Sequence, residues 1–200
     1  MVDESGNVID GDVLIAVAAV SLNKKNKLKN KTVIVTDYSN VGLDNSLKSF
    51  GIKVKRVKTG DKHVSEELFK STFSLGGENS GHIVFSDFSK TADAVISAVQ
   101  FLNIVKEENK KLSELVGIIK KYPQVLINVD VKEKRDLKNM PKVVAVIKEA
   151  EEKLNNNGRV FVRYSGTESR LRILVEGKQQ KEVKELAETI AKVVMKEIGV

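Results

Sequence analysis

The sequence predicts an α/β domain with a mainly parallel mixed sheet, followed by a smaller α+β domain with an antiparallel sheet. Three observations carry this. Up to about residue 117, short β-branched runs alternate with helical patterns, the order that lays parallel strands between helices. At Tyr122-Pro123 the pattern breaks, because a residue before proline resists helix. Beyond that point VFVRY (160–164) and LRILVEG (171–177) read as neighbouring strands, with a helix pattern on either side of the pair.

Taken in order, Val13, Ile15, Ala16, Val17, Ala19 and Val20 indicate a buried helix. KTVIVTDYSN (31–40) is a β-branched run that ends in turn residues. NVGLDNSLKSFG (40–51) fits a helix with Gly51 at its C-terminal cap, and IKVKRVKTG (52–60) alternates as a strand. SEELFKSTF (65–73) fits a short helix. SLGGENSGHIVFSDFSK (74–90) reads as a glycine-rich turn and then a strand around Ile83 to Phe85. Ala92, Val95, Ile96, Val99 and Leu102 recur at helical spacing, and KLSELVGIIKKY (111–122) adds another helix. In the second domain, QVLINVDVK (124–132) is a strand, and MPKVVAVIKEAEEKL (140–154) a helix with Pro141 in its first turn. NNNG (155–158) is a turn. The last helix carries Val183, Leu186, Ala187, Ile190, Val193 and Val194 as one stripe.

The composition narrows the function. The chain has 200 residues, 41% of them hydrophobic, enough for one large core or two small ones. No apolar run approaches the roughly 20 residues of a membrane span, and the polar, acidic start lacks the order of a signal peptide. Without cysteine there is no disulfide or thiolate chemistry, which fits a reducing, cytoplasmic setting. The net charge of +7 invites nucleic acid, but most lysines alternate with acids along helix faces, and aromatics make up only 5%. Of the six arginines, Arg159, Arg163, Arg170 and Arg172 fall in or beside one turn, whereas Arg56 and Arg135 stand apart. Guanidinium groups bind carboxylate or phosphate bidentately, so this clustering points to a small anion and not to a polynucleotide.

That turn is RYSGTES (163–169). It supplies the hydroxyls of Ser165 and Thr167, the bare backbone of Gly166 and a run of N–H groups, between Arg163 and Arg172. Inward-pointing N–H groups make an anion-binding concavity; a plain polar hairpin is the competing reading. A second candidate is LGGENSGHIVF (75–85), where Glu78, Asn79, Ser80 and His82 offer four polar side chains. Acceptors and donors together suit adjacent sugar hydroxyls; here the competing reading is a capping Glu78 and a packed His82. One histidine with one glutamate is a poor metal site, since zinc draws at least three protein ligands. A minor third candidate is TGDKH (59–63), with Asp61, Lys62 and His63 facing a ligand or Asp61 capping a helix.

GGENSGH (76–82) resembles the sugar-binding loop of the α-D-phosphohexomutases, and VRYSGTE (162–168) their phosphate-binding loop. TGDKHV is similar to the GDR-type turn of these enzymes, and KYPQVLINVDVK to their strand into the last domain. The resemblance covers nearly the whole chain. It is strongest to the bacterial phosphoglucosamine mutases, whose loops read GGEQSGH and R-x-SGTE, so Asn79 replaces their usual Gln.

The resemblance implies the third domain at residues 11–120 and the fourth, of TATA-box-binding-protein-like fold, at 121–200, with 1–10 a remnant of a preceding domain. It implies phosphoserine-mediated interconversion of glucosamine 6-phosphate and glucosamine 1-phosphate. Mg2+ and a hexose bisphosphate intermediate belong to that chemistry. Glu78, Asn79, Ser80, His82 and Lys62 would serve the sugar. Arg163, Ser165, Gly166, Thr167 and Arg172 would hold the phosphate that is not transferred. Glu168 would bond within its own loop, and Arg170 would face solvent. Neither a DGDxDR metal loop nor a TASHNP-like serine loop occurs, so no catalytic or metal-ligating residue is expected here. On this reading the chain alone is inactive, and its partners are the enzyme's N-terminal domains and the hexosamine phosphate, with a homodimer left open for the complete enzyme. The alternatives are a fragment of a phosphomannomutase/phosphoglucomutase, whose loops more often read GEMSGH and carry Asn in place of Gly166, or a non-catalytic sugar-phosphate-binding module.

Overall fold

The computed structural model describes residues 1–155 and 157–200. The chain divides into two units, Met1–Lys121 and Tyr122–Val200. In the first, helix α1 (Gly11–Lys24) leads to strand β1 (Thr32–Thr36), α2 (Val41–Lys48), β2 (Lys53–Val57), α3 (Asp61–Lys70), β3 (Leu75–Gly77), β4 (Ile83–Phe85) and α4 (Ala94–Glu108). A short helix α5 (Leu112–Leu115) and a 3-10 turn (Val116–Ile118) follow. The sheet order is β2-β1-β3-β4, with β1 parallel to β2 and β3, and β4 antiparallel to β3. This is the mainly parallel mixed sheet expected.

Alternation along β1 sorts the two faces. Val33 and Val35 pack with Ile15, Ala16, Ala19 and Leu43 of α1 and α2, whereas Ile34 packs with Val64 and Leu68 of α3. Helices thus cover both sides. Because β1 is buried on both faces, TVIVT reads as an unbroken apolar run.

Four expectations need correction. Gly76 and Gly77, assigned from sequence to a turn, lie inside β3. A Cβ on Gly76 would stand 2.8 Å from Ile34 O and from Val64 Cγ1, so the glycine lets α3 close over the sheet. The helix placed at 65–73 begins at Asp61, with Gly60 (φ +124°) as its cap, so TGDKH is the first turn of α3. Along α4 the apolar spacing is real, but Val95, Val99 and Leu102 are exposed, and Ser97, Phe101 and Ile104 face the core. Periodicity identifies a stripe without saying which stripe is buried; here the Phe101 ring, edge-on to Phe85 at 5.8 Å, decides it. The helix read over 111–122 is also shorter, ending as the 3-10 turn.

The second unit runs β5 (Gln124–Asp130), a 3-10 turn (Leu137–Asn139), α6 (Pro141–Leu154), β6 (Gly158–Tyr164), β7 (Arg170–Gly177) and α7 (Gln180–Ile198). Pro141 opens α6, where a missing N–H costs nothing. Of the NNNG turn, Asn155 is left-handed (φ 41°) and Asn156 lies outside the described residues. The sheet order β5-β7-β6 is antiparallel throughout, as expected for an α+β domain. Leu171, Ile173 and Val175 of β7 pack against Val183, Ala187, Ile190 and Val194 of α7. The intervening residues Arg172, Leu174 and Glu176 belong to the other face, in register with Arg163, Phe161 and Arg159 of β6. Residues 1–10 form a small turn in which Asp3 accepts from Ser5 N and Asn7 N, closed by a Val2–Val8 bridge.

Asp12 ties α1 to the turn after β1: its Oδ2 accepts from Asn40 N at 2.8 Å, and only 1% of the residue is exposed. Burial pushes its carboxyl above the ordinary value of 3.8, against the opposing pull of the Asn40 N–H, the Ser39 hydroxyl and Lys121. The fold therefore favours the neutral acid. That contribution is complete below the unfolded value and fades as pH rises through the raised one. Asp12→Asn should flatten this slope: in urea unfolding from pH 4 upward, the stability of the variant relative to wild type should grow with pH. Parallel curves would contradict it.

Candidate functional site

Within the first unit, the residues from Glu78 to His82 close the β3–β4 hairpin. Glu78 N donates to His82 O and Gly81 N to Glu78 O, both at 3.0 Å, with Gly81 at φ +100°. Gly11 N, at the start of α1, donates to Asn79 O at 2.9 Å, so the loop rests on the helix. Glu78 is only 9% exposed; its Oε1 accepts from Gly60 N at 3.0 Å, and its Oε2 lies 3.6 Å from His82 Nδ1. Ser80 Oγ lies 3.0 Å from the same nitrogen. Glu78, Ser80 and His82 are therefore brought together, with Asn79 half-buried beside them. Lys62 is exposed on α3, with its ammonium 3.8 Å from Glu66, and no hydrogen bond or ion pair among the described residues joins its side chain to this group.

The loop stands at the carboxyl ends of the parallel strands, where open α/β sheets bind ligands. Two further residues occupy those ends. Thr36 Oγ1 on β1 and Thr59 Oγ1 after β2 are buried with no hydrogen-bond partner among the described residues. The sequence reading singled out neither, although Thr59 opens the TGDKH candidate; their position at strand ends is the signal that flags them.

Within the second unit, Ser165 to Ser169 link β6 to β7. Arg163 and Arg172 face each other directly across the two strands, and Asn128 of β5 is the neighbour of Arg172 on its other side. Like charges opposed in this way destabilise a sheet, by roughly 0.2–1 kcal/mol, unless a negative group lies between them. Ser165 is buried and fixes the loop: its N donates to Arg170 O at 2.8 Å, and its O accepts from Lys134 Nζ at 2.7 Å. Its hydroxyl lies within 3.4 Å of Arg172 Nη2 and 3.3 Å of Glu168 Oε2. Gly166 and Thr167 are exposed at the tip.

Glu168 does bond within its own loop, accepting from Arg172 at 3.0 Å and Arg170 at 2.9 Å. The Arg172 hydrogen bond first, and then the Arg170 charge, hold its carboxyl below the usual range. Arg170, expected in solvent, is half-exposed and also binds Asp130 at 2.6 Å. Lys134 was missed by sequence reading, because nothing in KEKRD separates it from the other scattered lysines. Among the described residues no group of three or more His, Cys, Asp or Glu could hold a metal ion, and no helix is long and apolar enough to cross a membrane. The groups offered are a carboxylate, a hydroxyl and an imidazole in one unit, and guanidinium groups beside hydroxyls in the other.

Residues 10–122 match the phosphoglucomutase/phosphomannomutase α/β/α domain III, and residues 126–193 match the C-terminal domain of the same enzymes. The chain belongs to this family. It is an α-D-phosphohexomutase sequence, as the two loops had suggested, and it carries the third and C-terminal domains. It is 44% identical to the phosphoglucosamine mutase of Geobacter metallireducens over 198 residues, 99% of this chain and 44% of that protein. The phosphoglucosamine mutase of Lactiplantibacillus plantarum is 43% identical over 199 residues, again 44% of its length. The chain thus spans less than half of these relatives. Among solved structures, Aspergillus fumigatus N-acetylphosphoglucosamine mutase in complex with GlcNAc-6P and magnesium superposes with a TM-score of 0.79 at 22% identity, covering 97% of this chain and 49% of that one. A phosphoglucomutase/phosphomannomutase family protein of Burkholderia thailandensis gives 0.74 at 15%, covering all of this chain and 45% of that one. At such identities these two attest to the phosphohexomutase fold alone.

Proposed function

We propose that this chain is the substrate-recognition half of a cytoplasmic phosphoglucosamine mutase, which interconverts glucosamine 6-phosphate and glucosamine 1-phosphate by phosphoserine-mediated transfer. The observation that carries the reading is the Arg163–Arg172 pair, opposed across β6 and β7 at the mouth of the Ser165–Ser169 loop. Arg163, Arg172, the Ser165 and Thr167 hydroxyls and the backbone at Gly166 hold the phosphate that stays in place. Glu78 accepts from sugar hydroxyls, Ser80 and Asn79 bond further polar groups, and His82 supports the loop through Ser80 and Glu78. Lys62, which stands apart from that group, is the least supported of the sugar-side assignments. Holding the fixed phosphate orients the hexose, and the binding energy from that remote group can be used at the reacting one.

A. fumigatus N-acetylphosphoglucosamine mutase has been solved with magnesium, and a serine-to-alanine variant of it with glucose 1,6-bisphosphate. The same ion and a bisphosphate intermediate are proposed for the complete enzyme here. Among the described residues no group of three or more His, Cys, Asp or Glu fits the ion, so its ligands and the reactive serine are assigned to the N-terminal domains of the complete enzyme. When bound, such an ion neutralises charge on the phosphoryl group in transit.

An activity assay tests this reading. The 200-residue chain should not convert glucosamine 6-phosphate. Joined to the N-terminal domains of the G. metallireducens phosphoglucosamine mutase, it should restore conversion, with glucosamine 6-phosphate preferred over mannose 6-phosphate. Turnover by the chain alone, or a preference for mannose 6-phosphate, would overturn the assignment.

A further inference from the structure

We propose that the cavity at the far end of the β3–β4 hairpin is a second ligand site, which takes a small amphipathic anion: a flat apolar ring carrying one acidic group. The cavity has a volume of about 510 Å3, within the range of small-molecule sites. It is formed by the last turn of α1, the segment leading to β1, the end of β4 and the outer half of α4. Along the hairpin, Gly77 pairs with Ile83 beside the Glu78–His82 loop, and Leu75 pairs with Phe85 beside the cavity. Two residue steps of about 3.4 Å separate those pairs, and the loop and the cavity extend in opposite directions from them. No residue of the sugar-side or phosphate-side groups lines the cavity.

Its chemistry is specific in three ways. The apolar wall is built from Phe85, Phe88 and Ile104, and Phe88 is 61% exposed, an aromatic face with room to stack on a ring. Ser21, which also lines it, is 2% exposed, and its hydroxyl has no hydrogen-bond partner among the described residues. A buried polar group left in that state asks for a partner, and a ligand heteroatom can supply one. The third feature is charge. Lys29 pairs with Asp87 at 2.7 Å and Lys25 pairs with Glu107, so these four groups neutralise one another across the rim. Lys27 lines the same cavity and makes no salt bridge within 4.0 Å among the described residues, although its charge acts on the Glu107 carboxylate from further off. Three lysines against two carboxylates leave the rim with one positive charge in excess, which matches one acidic group.

The test is fluorescence titration of the 200-residue chain with anilinonaphthalene sulfonate, an apolar ring system with one sulfonate. Saturable binding of one dye per chain is expected. It should weaken about tenfold or more, a loss of one hydrogen-bonded charge or one stacked ring, in each of Phe88→Ala and Lys27→Glu. Both residues are exposed, so neither change removes packing from the core. Val99→Ser, on the other exposed apolar stripe of α4, should bind the dye as wild type does. Absence of saturable binding, indifference to both cavity variants, or loss of binding in Val99→Ser would overturn the proposal. Failure here leaves the sugar-phosphate reading untouched, because none of these residues belongs to it.

Discussion

Arg163→Ala should weaken binding of a hexose phosphate by roughly 10- to 150-fold, the equivalent of about 1.5–3 kcal/mol for one hydrogen bond to a charged group. Two features of the second unit give the argument. Arg163 and Arg172 occupy paired positions on adjacent strands, a placement that costs a sheet stability unless something negative joins them. Glu168, the carboxylate of the loop, is engaged by Arg170 and Arg172, and a bound phosphate would add a second negative partner beside the Arg163–Arg172 pair. Calorimetric titration with glucosamine 6-phosphate measures the loss, and inorganic phosphate should follow the same order. An affinity unchanged by the substitution would remove Arg163 from the phosphate site.

Gly11→Ala should destabilise the first unit by about 1–3 kcal/mol, the usual cost of forcing a methyl group into filled space. The new Cβ would stand 2.0 Å from Glu78 O and 2.8 Å from Gly81 N, both backbone atoms that cannot swing aside. The loop would have to lift from α1, breaking the Gly11–Asn79 hydrogen bond and shifting Glu78 from its clasp with Gly60. A lowered melting temperature, with displaced amide resonances from Glu78 to His82, is the expected result. Gly166→Ala is the control: nothing lies within 4 Å of the added carbon, so stability should hold within about 0.5 kcal/mol. A Gly11→Ala protein as stable as wild type, with its loop resonances in place, would contradict this account.

Much of the architecture is legible in the sequence because each strand carries a local signature. TVIVT is β-branched and closed by turn residues, and the order of strands and helices forecasts a mainly parallel sheet before Tyr122-Pro123 and an antiparallel one after it. What sequence patterning could not supply was the third dimension. Gly76 and Gly77 look like a turn by residue type, yet they are strand glycines, because α3 needs the space a side chain would take. Val95, Val99 and Leu102 are spaced like a core stripe, but the ring of Phe101 turns the neighbouring stripe inward.

For the candidate site, motif resemblance found both loops, because their polar residues are close in sequence. It could not find partners from distant segments. Gly60 reaches Glu78 across 18 positions, Lys134 reaches Ser165 across 31, and both contacts exist only once the sheets have formed. The direct opposition of Arg163 and Arg172 likewise required the register of β6 on β7.

The central claim is that the two loops recognise the hydroxyls and the phosphate of a hexosamine phosphate. Amide chemical-shift mapping of the 200-residue chain during titration with glucosamine 6-phosphate tests it most directly. The account predicts shifts concentrated at Gly77–His82 and at Ser165–Glu168, with the second set lost in Arg163→Ala. Shifts confined to other segments, or none at saturating ligand, would contradict it.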